Sequence, residues 1–432
     1  MKISLTSLGC SKNLVDSELI LGSLTNSGHE ITTEDKADVI VINTCGFIGD
    51  AKKESINTII DLAEYKKTGS CKKLIVTGCL VERYSDQLKD EFPEVDHFWG
   101  TGNLLKINEV LTDTVYDFNK TPFGTIYDPD SPRVMLTDSH TSYVKVSEGC
   151  SRTCSFCIIP RMRGIMKSRS VDSIYNEISR LGQSGVKEIN LIAQDMTSYG
   201  RDIGTNLYTL LKELVKIDSI DWMRLHYCYP WGVTDELVDL LAGDNNLLPY
   251  IDMPIQHIND RILKLMDRKT PKKRILSIVN KLKQAMPDLT LRTTFIVGFP
   301  SETEDEFEEL LEFVEDTKFQ RAGAFRYSHE EGTPSFDIHG QIDEDIKEER
   351  LERLLNVQSD ISLENNEALI GKTFGYFVEG SEDGDYFGRI SSQAPEVDGL
   401  TYITTDKKLK KGDFVQVRIT EADIYNLHAE LV

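Results

Sequence analysis

Cys150, Cys154 and Cys157 stand in the run Cys150-Ser151-Arg152-Thr153-Cys154-Ser155-Phe156-Cys157, just after the apolar stretch Tyr143-Val144-Lys145-Val146. This CxxxCxxC spacing puts three thiolates on one short loop behind a predicted strand. Three thiolates can hold three irons of a cubane 4Fe–4S cluster and leave the fourth iron without a protein ligand. An iron left open in that way can be chelated by the amino and carboxylate groups of S-adenosylmethionine (SAM), whose reductive cleavage yields a carbon radical. The alternative is a structural zinc site that borrows a distant His as fourth ligand. Zinc ligands usually come as two separated pairs, whereas these three cysteines are crowded together with no His nearby.

Cys10, Cys45 and Cys79 form a second set, defined by placement rather than spacing. Cys10 follows a first strand-like run, Cys45 ends Ile40-Val41-Ile42-Asn43-Thr44-Cys45, and Cys79 ends Leu74-Ile75-Val76-Thr77-Gly78-Cys79. Ligands of an open parallel sheet bind beyond the carboxyl ends of its strands, so all three thiols are expected at one edge. Gly9, Gly46 and Gly78 beside them allow close backbone approach. The plain alternative is three small buried residues, a role free Cys often fills; three such residues at three strand ends favour a second cluster with one open iron. Cys71 and Cys228 belong to neither set and are read as structural.

The elements that must position these residues fall into an α/β fold of three parts. Residues 1–112 alternate strands (Ile3–Leu8, Val39–Ile42, Lys73–Thr77) with helices (Leu14–Leu24, Lys52–Tyr65), which predicts a small doubly wound α/β domain. Residues 113–142, rich in Asp, Pro, Thr and Ser, read as a linker. Residues 143–367 carry six strand-like runs, Tyr143–Val146, Ile189–Ala193, Met223–His226, Tyr250–Met253, Leu291–Val297 and Ala322–Arg326. Helical patterns lie between them, so a partial (β/α) barrel with its site at the C-terminal strand ends is expected. The charged helix Glu344–Glu367 would close it. Residues 368–432 switch to short strands separated by Gly and Asp and predict a small all-β barrel.

The bulk numbers exclude some partners. A formal net charge of −22 over 432 residues argues against a polyanion as the main partner. No run is apolar enough to span a membrane or serve as a signal peptide, and eight cysteines without a secretory segment point to a reducing cytoplasm.

These residues resemble the methylthiotransferases of the radical-SAM superfamily along essentially the whole chain. Phe156 before the last cysteine of the loop matches the radical-SAM signature. Ser7-Leu8-Gly9-Cys10-Ser11-Lys12-Asn13-Leu14-Val15-Asp16-Ser17-Glu18, Asn43-Thr44-Cys45-Gly46-Phe47-Ile48 and Cys157-Ile158-Ile159-Pro160-Arg161-Met162-Arg163-Gly164 are similar to the branch that modifies an aspartate of ribosomal protein S twelve. The tRNA-modifying branch (MiaB-like), the competing assignment, typically reads Gly-Cys-Gln-Met-Asn at the first of these.

The resemblance implies an enzyme with two 4Fe–4S clusters, held by Cys10, Cys45 and Cys79 and by Cys150, Cys154 and Cys157. It implies two SAM molecules per product, a C-terminal TRAM domain, and an electron donor such as flavodoxin. SAM contacts are expected from Gln194 and Asp195, from Arg161 or Arg163, and from the segment Thr294–Thr303, with Gly298 facing the adenosyl part and Glu302 nearby. His226, His257 and His329 are expected to pack rather than ligate. Residues 369–432 hold seven basic and eleven acidic side chains; an acidic barrel suits a basic protein partner better than a phosphate backbone, although the run Lys407–Lys411 leaves room for some RNA contact.

Overall fold

The computed structural model of the chain describes residues 1–102, 104–112, 126–382 and 384–432. The first part is a parallel five-stranded sheet, built from β1 (Lys2–Ser7), β2 (Glu30–Ile31), β3 (Val39–Thr44), β4 (Lys73–Gly78) and β5 (His97–Trp99) in the order β2-β1-β3-β4-β5. All six residues of β3 are buried, because helices cover both faces. Ile40 and Ile42 pack on one side with Leu74, Val76, Ile59 and Leu80, while Val39 and Val41 pack on the other with Ile20, Leu24 and Ile75. Alternate side chains of one strand thus feed two cores, which is why the sequence reads as a continuous apolar run.

The second part is a six-stranded parallel sheet of β6 (Thr141–Lys145), β9 (Glu188–Ile192), β10 (Trp222–Leu225), β11 (Leu247–Asp252), β12 (Thr290–Val297) and β13 (Arg321–Arg326), paired in that order. The short pair β7 (Ser147–Glu148) and β8 (Lys167–Ser168) brackets the cysteine loop. Consecutive strands are neighbours, and β6 and β13 are the unpaired edges, so the sheet is a barrel left open. The helix Glu344–Glu367 lies against β13 and buries Leu354 and Ile361 in the same core.

The third part is a closed barrel of β14 (Thr373–Glu382), β15 (Asp385–Ile390), β16 (Thr401–Ile403), β17 (Phe414–Ala422) and β18 (Leu427–Leu431). It is anchored beneath the central sheet through buried Arg389, which reaches Glu188 of β9 and Glu379.

The region read as a linker behaves differently from a tether in its described half. Residues 113–125 lie outside the described residues, but Tyr127 and Arg133 are buried. Arg133 bridges Glu18 of the first helix and Glu177 of the helix Val171–Gln183 at 2.8 Å, and the Leu136 N–H donates to Glu18 at 2.8 Å. A charged pair shared among three elements fixes this stretch, a link invisible to composition.

Candidate active site

The parallel register sets the first triad. Because β1, β3 and β4 are adjacent and point the same way, Cys10, Cys45 and Cys79 emerge together past their carboxyl ends. The approach is close enough to demand glycine. A Cβ on Gly9, whose φ is +89°, would sit 2.8 Å from the Cys45 Cβ, and one on Gly46 would sit 2.8 Å from the Leu80 Cα. Asn13 ties the ends together: its side-chain amide donates to the Leu8 carbonyl at 2.9 Å and the Thr44 carbonyl at 3.0 Å, while its oxygen accepts from Arg163. Ser55 accepts from the Cys45 N–H at 3.0 Å and donates back to its carbonyl at 2.9 Å.

The second triad is held by local backbone bonds. The Cys150 N–H donates to Gly164 O and the Cys157 N–H to Cys154 O, both at 3.0 Å. Ser155 docks the loop on the following layer by donating to Leu265 O at 2.7 Å. Arg152 pairs with Asp195 at 2.6 Å and stacks on Tyr229, whose ring also carries Arg268. Arg268 donates to the Pro254 carbonyl and points a second nitrogen at the Cys154 sulfur, 3.7 Å away.

All six cysteines line one cavity of about 350 Å³, together with Lys12, Asn13, Arg163, Gln194, Gln256 and Cys228. The first part reaches it by bridging the two open edges of the barrel. At the β6 edge, Asp16 pairs with Lys145 and, at 3.0 Å, with Arg163. Burial alone would raise the Glu148 carboxyl, but Lys145 and Arg163 hold it well below the usual carboxylate range. At the β13 edge, Glu330 takes Lys52 at 2.7 Å and Arg83 at 2.8 Å, and the Arg83 guanidinium reaches the Glu331 carbonyl at 2.8 Å.

Burial pushes the thiol of Cys45 up, that of Cys150 to about 11, and those of Cys79 and Cys157 to about 12. Such thiols ionise when a cation takes the proton's place, so metal loading here would release protons. Soft sulfur donors in two sets of three suit iron–sulfur clusters with one open iron each. Two buried side-chain oxygens, Gln194 Oε1 and Gln256 Oε1, have no hydrogen-bond partner among the described residues and belong to residues of this cavity. Both can accept hydrogen bonds from N–H groups that enter the cavity.

The remaining expected contacts divide. Gln194 and Asp195 line the cavity. Arg163 does too, but on the Cys79 side, engaged with Asn13, Asp16 and Glu148; it is a bridge between the two parts, not a free carboxylate clamp. Arg161 is exposed in a separate groove beside Gly332. Of the segment Thr294–Thr303 only Thr294 lines the cavity. A Cβ on Gly298 would meet the Lys347 side chain at 2.4 Å, and Glu302 accepts from Arg350 at 2.8 Å and from the Gly298 N–H at 3.0 Å. The long helix has taken the face that Gly298 and Glu302 were expected to offer a ligand.

His226, His257 and His329 stay outside the cavity lining; His226, buried beside Asn190 at 3.1 Å, is held neutral by its burial and the nearby arginines. Cys71 is buried elsewhere, whereas Cys228 lines the cavity as a deeply buried thiol pushed well up by burial. Sequence reasoning missed Lys12, Tyr227, Gln256 and Arg268. Only Lys12 carried a local signal, its place two residues after Cys10. A further metal-like grouping, Asp138, His140 and Glu379, is already neutralised by Lys411 and Arg389.

Residues 2–100 match an uncharacterized protein family, UPF0004, residues 144–314 the radical SAM superfamily and residues 370–432 the TRAM domain. The chain is 46% identical over 441 residues to the ribosomal protein uS12 methylthiotransferase RimO of Clostridioides difficile, covering all of this chain and 99% of that one. The same enzyme of Thermoanaerobacter sp. is 45% identical, covering 99% of each. Among solved structures, the radical S-adenosylmethionine methyltransferase TsrM of Kitasatospora setae, with cobalamin and a [4Fe-4S] cluster bound, superposes with a TM-score of 0.55 at 13% identity over 77% of this chain and 73% of its own. The cobalamin-dependent enzyme OxsB gives 0.51 at 14% identity over 83% and 56%; both likenesses are of fold. With 44–46% identity held along its full length, the chain belongs to the RimO family of methylthiotransferases within the radical SAM superfamily.

Proposed function

We propose that this chain adds a methylthio group to the β-carbon of an aspartate in ribosomal protein uS12, with Cys10, Cys45 and Cys79 holding one 4Fe–4S cluster and Cys150, Cys154 and Cys157 the other. The observation that carries the reading is that two separate three-thiol sets line one cavity of about 350 Å³. When bound, the clusters and SAM supply radical chemistry and a sulfur carrier, which a C–H bond without useful acidity requires. The chain's own residues provide the setting. Gln194 and Gln256 offer acceptors to the SAM amino end, and Asp195 fixes Arg152 against Tyr229 beside the Cys150 loop. Arg163, Asp16 and Lys145 hold the first domain over the barrel mouth, so that the two triads face one cavity.

The third domain supports a protein substrate over tRNA. Of its seven basic residues, Arg389 is buried in ion pairs and Lys411 is engaged by Asp138, leaving an acidic surface that suits a basic ribosomal protein. The reaction needs an external one-electron donor, of which flavodoxin is an example, and belongs in a reducing cytoplasm. Among the described residues no helix is long and apolar enough to cross a membrane. The deciding experiment incubates the anaerobically reconstituted enzyme, SAM, sulfide and a reductant with uS12 or with tRNA. A methylthio mass on uS12 alone is expected; a methylthio adenosine in tRNA with unmodified uS12 would overturn the reading.

A further inference from the structure

Among the described residues two cations of the cavity wall, Arg268 and Lys12, have no carboxylate within ion-pairing range, and of the two only Lys12 also lacks a hydrogen-bond acceptor. Arg152 is paired with Asp195, Arg163 with Asp16 and Glu148, and Arg268 spends its donors on the Pro254 carbonyl and the Cys154 sulfur. Lys12 is only 5% exposed and lines the same cavity. Among the described residues its ammonium has no carboxylate within ion-pairing range; its one contact is the ring face of Tyr227, 2.8 Å from the centroid. Asp252, the carboxylate that feels the Lys12 charge, lies beyond ion-pairing range of it and is bonded to Arg292 at 3.1 Å and to the Tyr227 N–H at 3.1 Å.

Tyr227 itself has a φ of +62°, a conformation aromatic residues seldom adopt. With that backbone conformation its ring lies against the Lys12 ammonium, and both residues line the cavity. A cation–π contact offsets part of the cost of desolvating a charge, and the ammonium keeps N–H donors for an acceptor that enters the cavity.

Two carboxylates enter this cavity under the function proposed above, that of SAM and that of the target side chain. Position separates them. SAM is expected at the Cys150 loop, beside Arg152 and Arg268, whereas Lys12 rises from the first turn of the helix Ser11–Asn26, next to Cys10 and the other triad. We infer that Lys12 binds the carboxylate of the side chain to be modified, and so selects an acidic protein side chain as substrate. The inference builds on the assignment of uS12 as substrate.

The test is a cycle in which the target aspartate of a uS12 peptide and Lys12 are changed separately and together. Wild-type holoenzyme should turn over the Asp peptide at least about tenfold faster than its Asn counterpart at limiting substrate, the size expected for a charge-assisted hydrogen bond. Lys12→Met, matched to wild type in iron content, should bring that ratio close to one, and Lys12→Arg should restore part of it. An undiminished Asp preference in Lys12→Met would overturn the inference, as would a raised KM for SAM with the preference intact, which would assign Lys12 to the SAM carboxylate. The wild-type ratio stands independently of how the variant folds: equal turnover of Asp and Asn peptides by wild type also overturns it. A wild-type enzyme that leaves both peptides unmodified but modifies tRNA overturns the substrate assignment and the inference together.

Discussion

The two cysteine triads hold the same donors but are made in opposite ways. Cys150, Cys154 and Cys157 sit on eight consecutive residues, held within the run by the bond of Cys157 to Cys154 and just beyond it by the bond of Cys150 to Gly164. Cys10, Cys45 and Cys79 come from three strand ends spread over seventy residues and meet only because β1, β3 and β4 are parallel neighbours. A local site depends on its own loop. A composite site depends on sheet register, on glycines at the approach and on the clasp that sets one domain over the other. The two should therefore fail differently.

The largest contrast comes from the ligands themselves. Cys154→Ala should abolish SAM cleavage and product together, whereas Cys45→Ala should abolish product and leave SAM cleavage; 5′-deoxyadenosine and methylthio product measured in the same reactions check this. Loss of SAM cleavage in both variants would erase the distinction. Next is the clasp. Lys145→Met leaves two buried carboxylates, Asp16 and Glu148, to share the single positive charge of Arg163 and should cost up to about 3–5 kcal/mol, the usual effect of breaking a buried pair. Denaturant unfolding reads that loss, and product formation should suffer more than SAM cleavage.

Smaller again, Gly9→Ala forces a Cβ into Cys45 at a positive φ and should destabilise by about 1–3 kcal/mol. Its iron loss should be confined to the composite site, since the atoms such a Cβ meets first belong to Cys45 and Asn13. The mildest lesion is at the other clasp. Burial alone would raise the Glu330 carboxyl, but Lys52, Ser328 and Arg83 outweigh it and hold it below its ordinary value of 4.5. Its stabilising contribution is thus complete above pH 4.5 and disappears as pH falls through the lowered folded value. Glu330→Gln should unfold at lower temperature than wild type at pH 7, with the gap narrowing below about pH 4; a gap that widens in acid would contradict the assignment.

How the sites were built decides how much of them could be read beforehand. The Cys150 loop is a spacing, and spacing survives in one dimension. The composite triad was legible in part because each cysteine ends a predicted strand, and adjacency of β1, β3 and β4 then brings them together. The fold classes were legible for the same reason, long apolar runs in parallel sheets, while β2 and β5 are too short for any period to register. The helix Cys79–Glu91 escaped because Glu82, Arg83, Asp86 and Lys89 interrupt its pattern. What stayed hidden depends on which element packs where. Gly298 and Glu302 are claimed by the long helix through Lys347 and Arg350, Arg163 is drawn to the opposite triad by Asp16, and the stretch around Arg133 is pinned by Glu18 and Glu177. Tyr227 under Lys12 requires a backbone conformation that no sequence pattern announces.

Iron content per chain tests the central claim most directly, measured after anaerobic reconstitution on wild type and on two triple variants, Cys10/Cys45/Cys79→Ala and Cys150/Cys154/Cys157→Ala. Two independent clusters predict about eight irons in wild type and about four in each variant. About four irons in wild type, or loss of all iron from either variant, would contradict it.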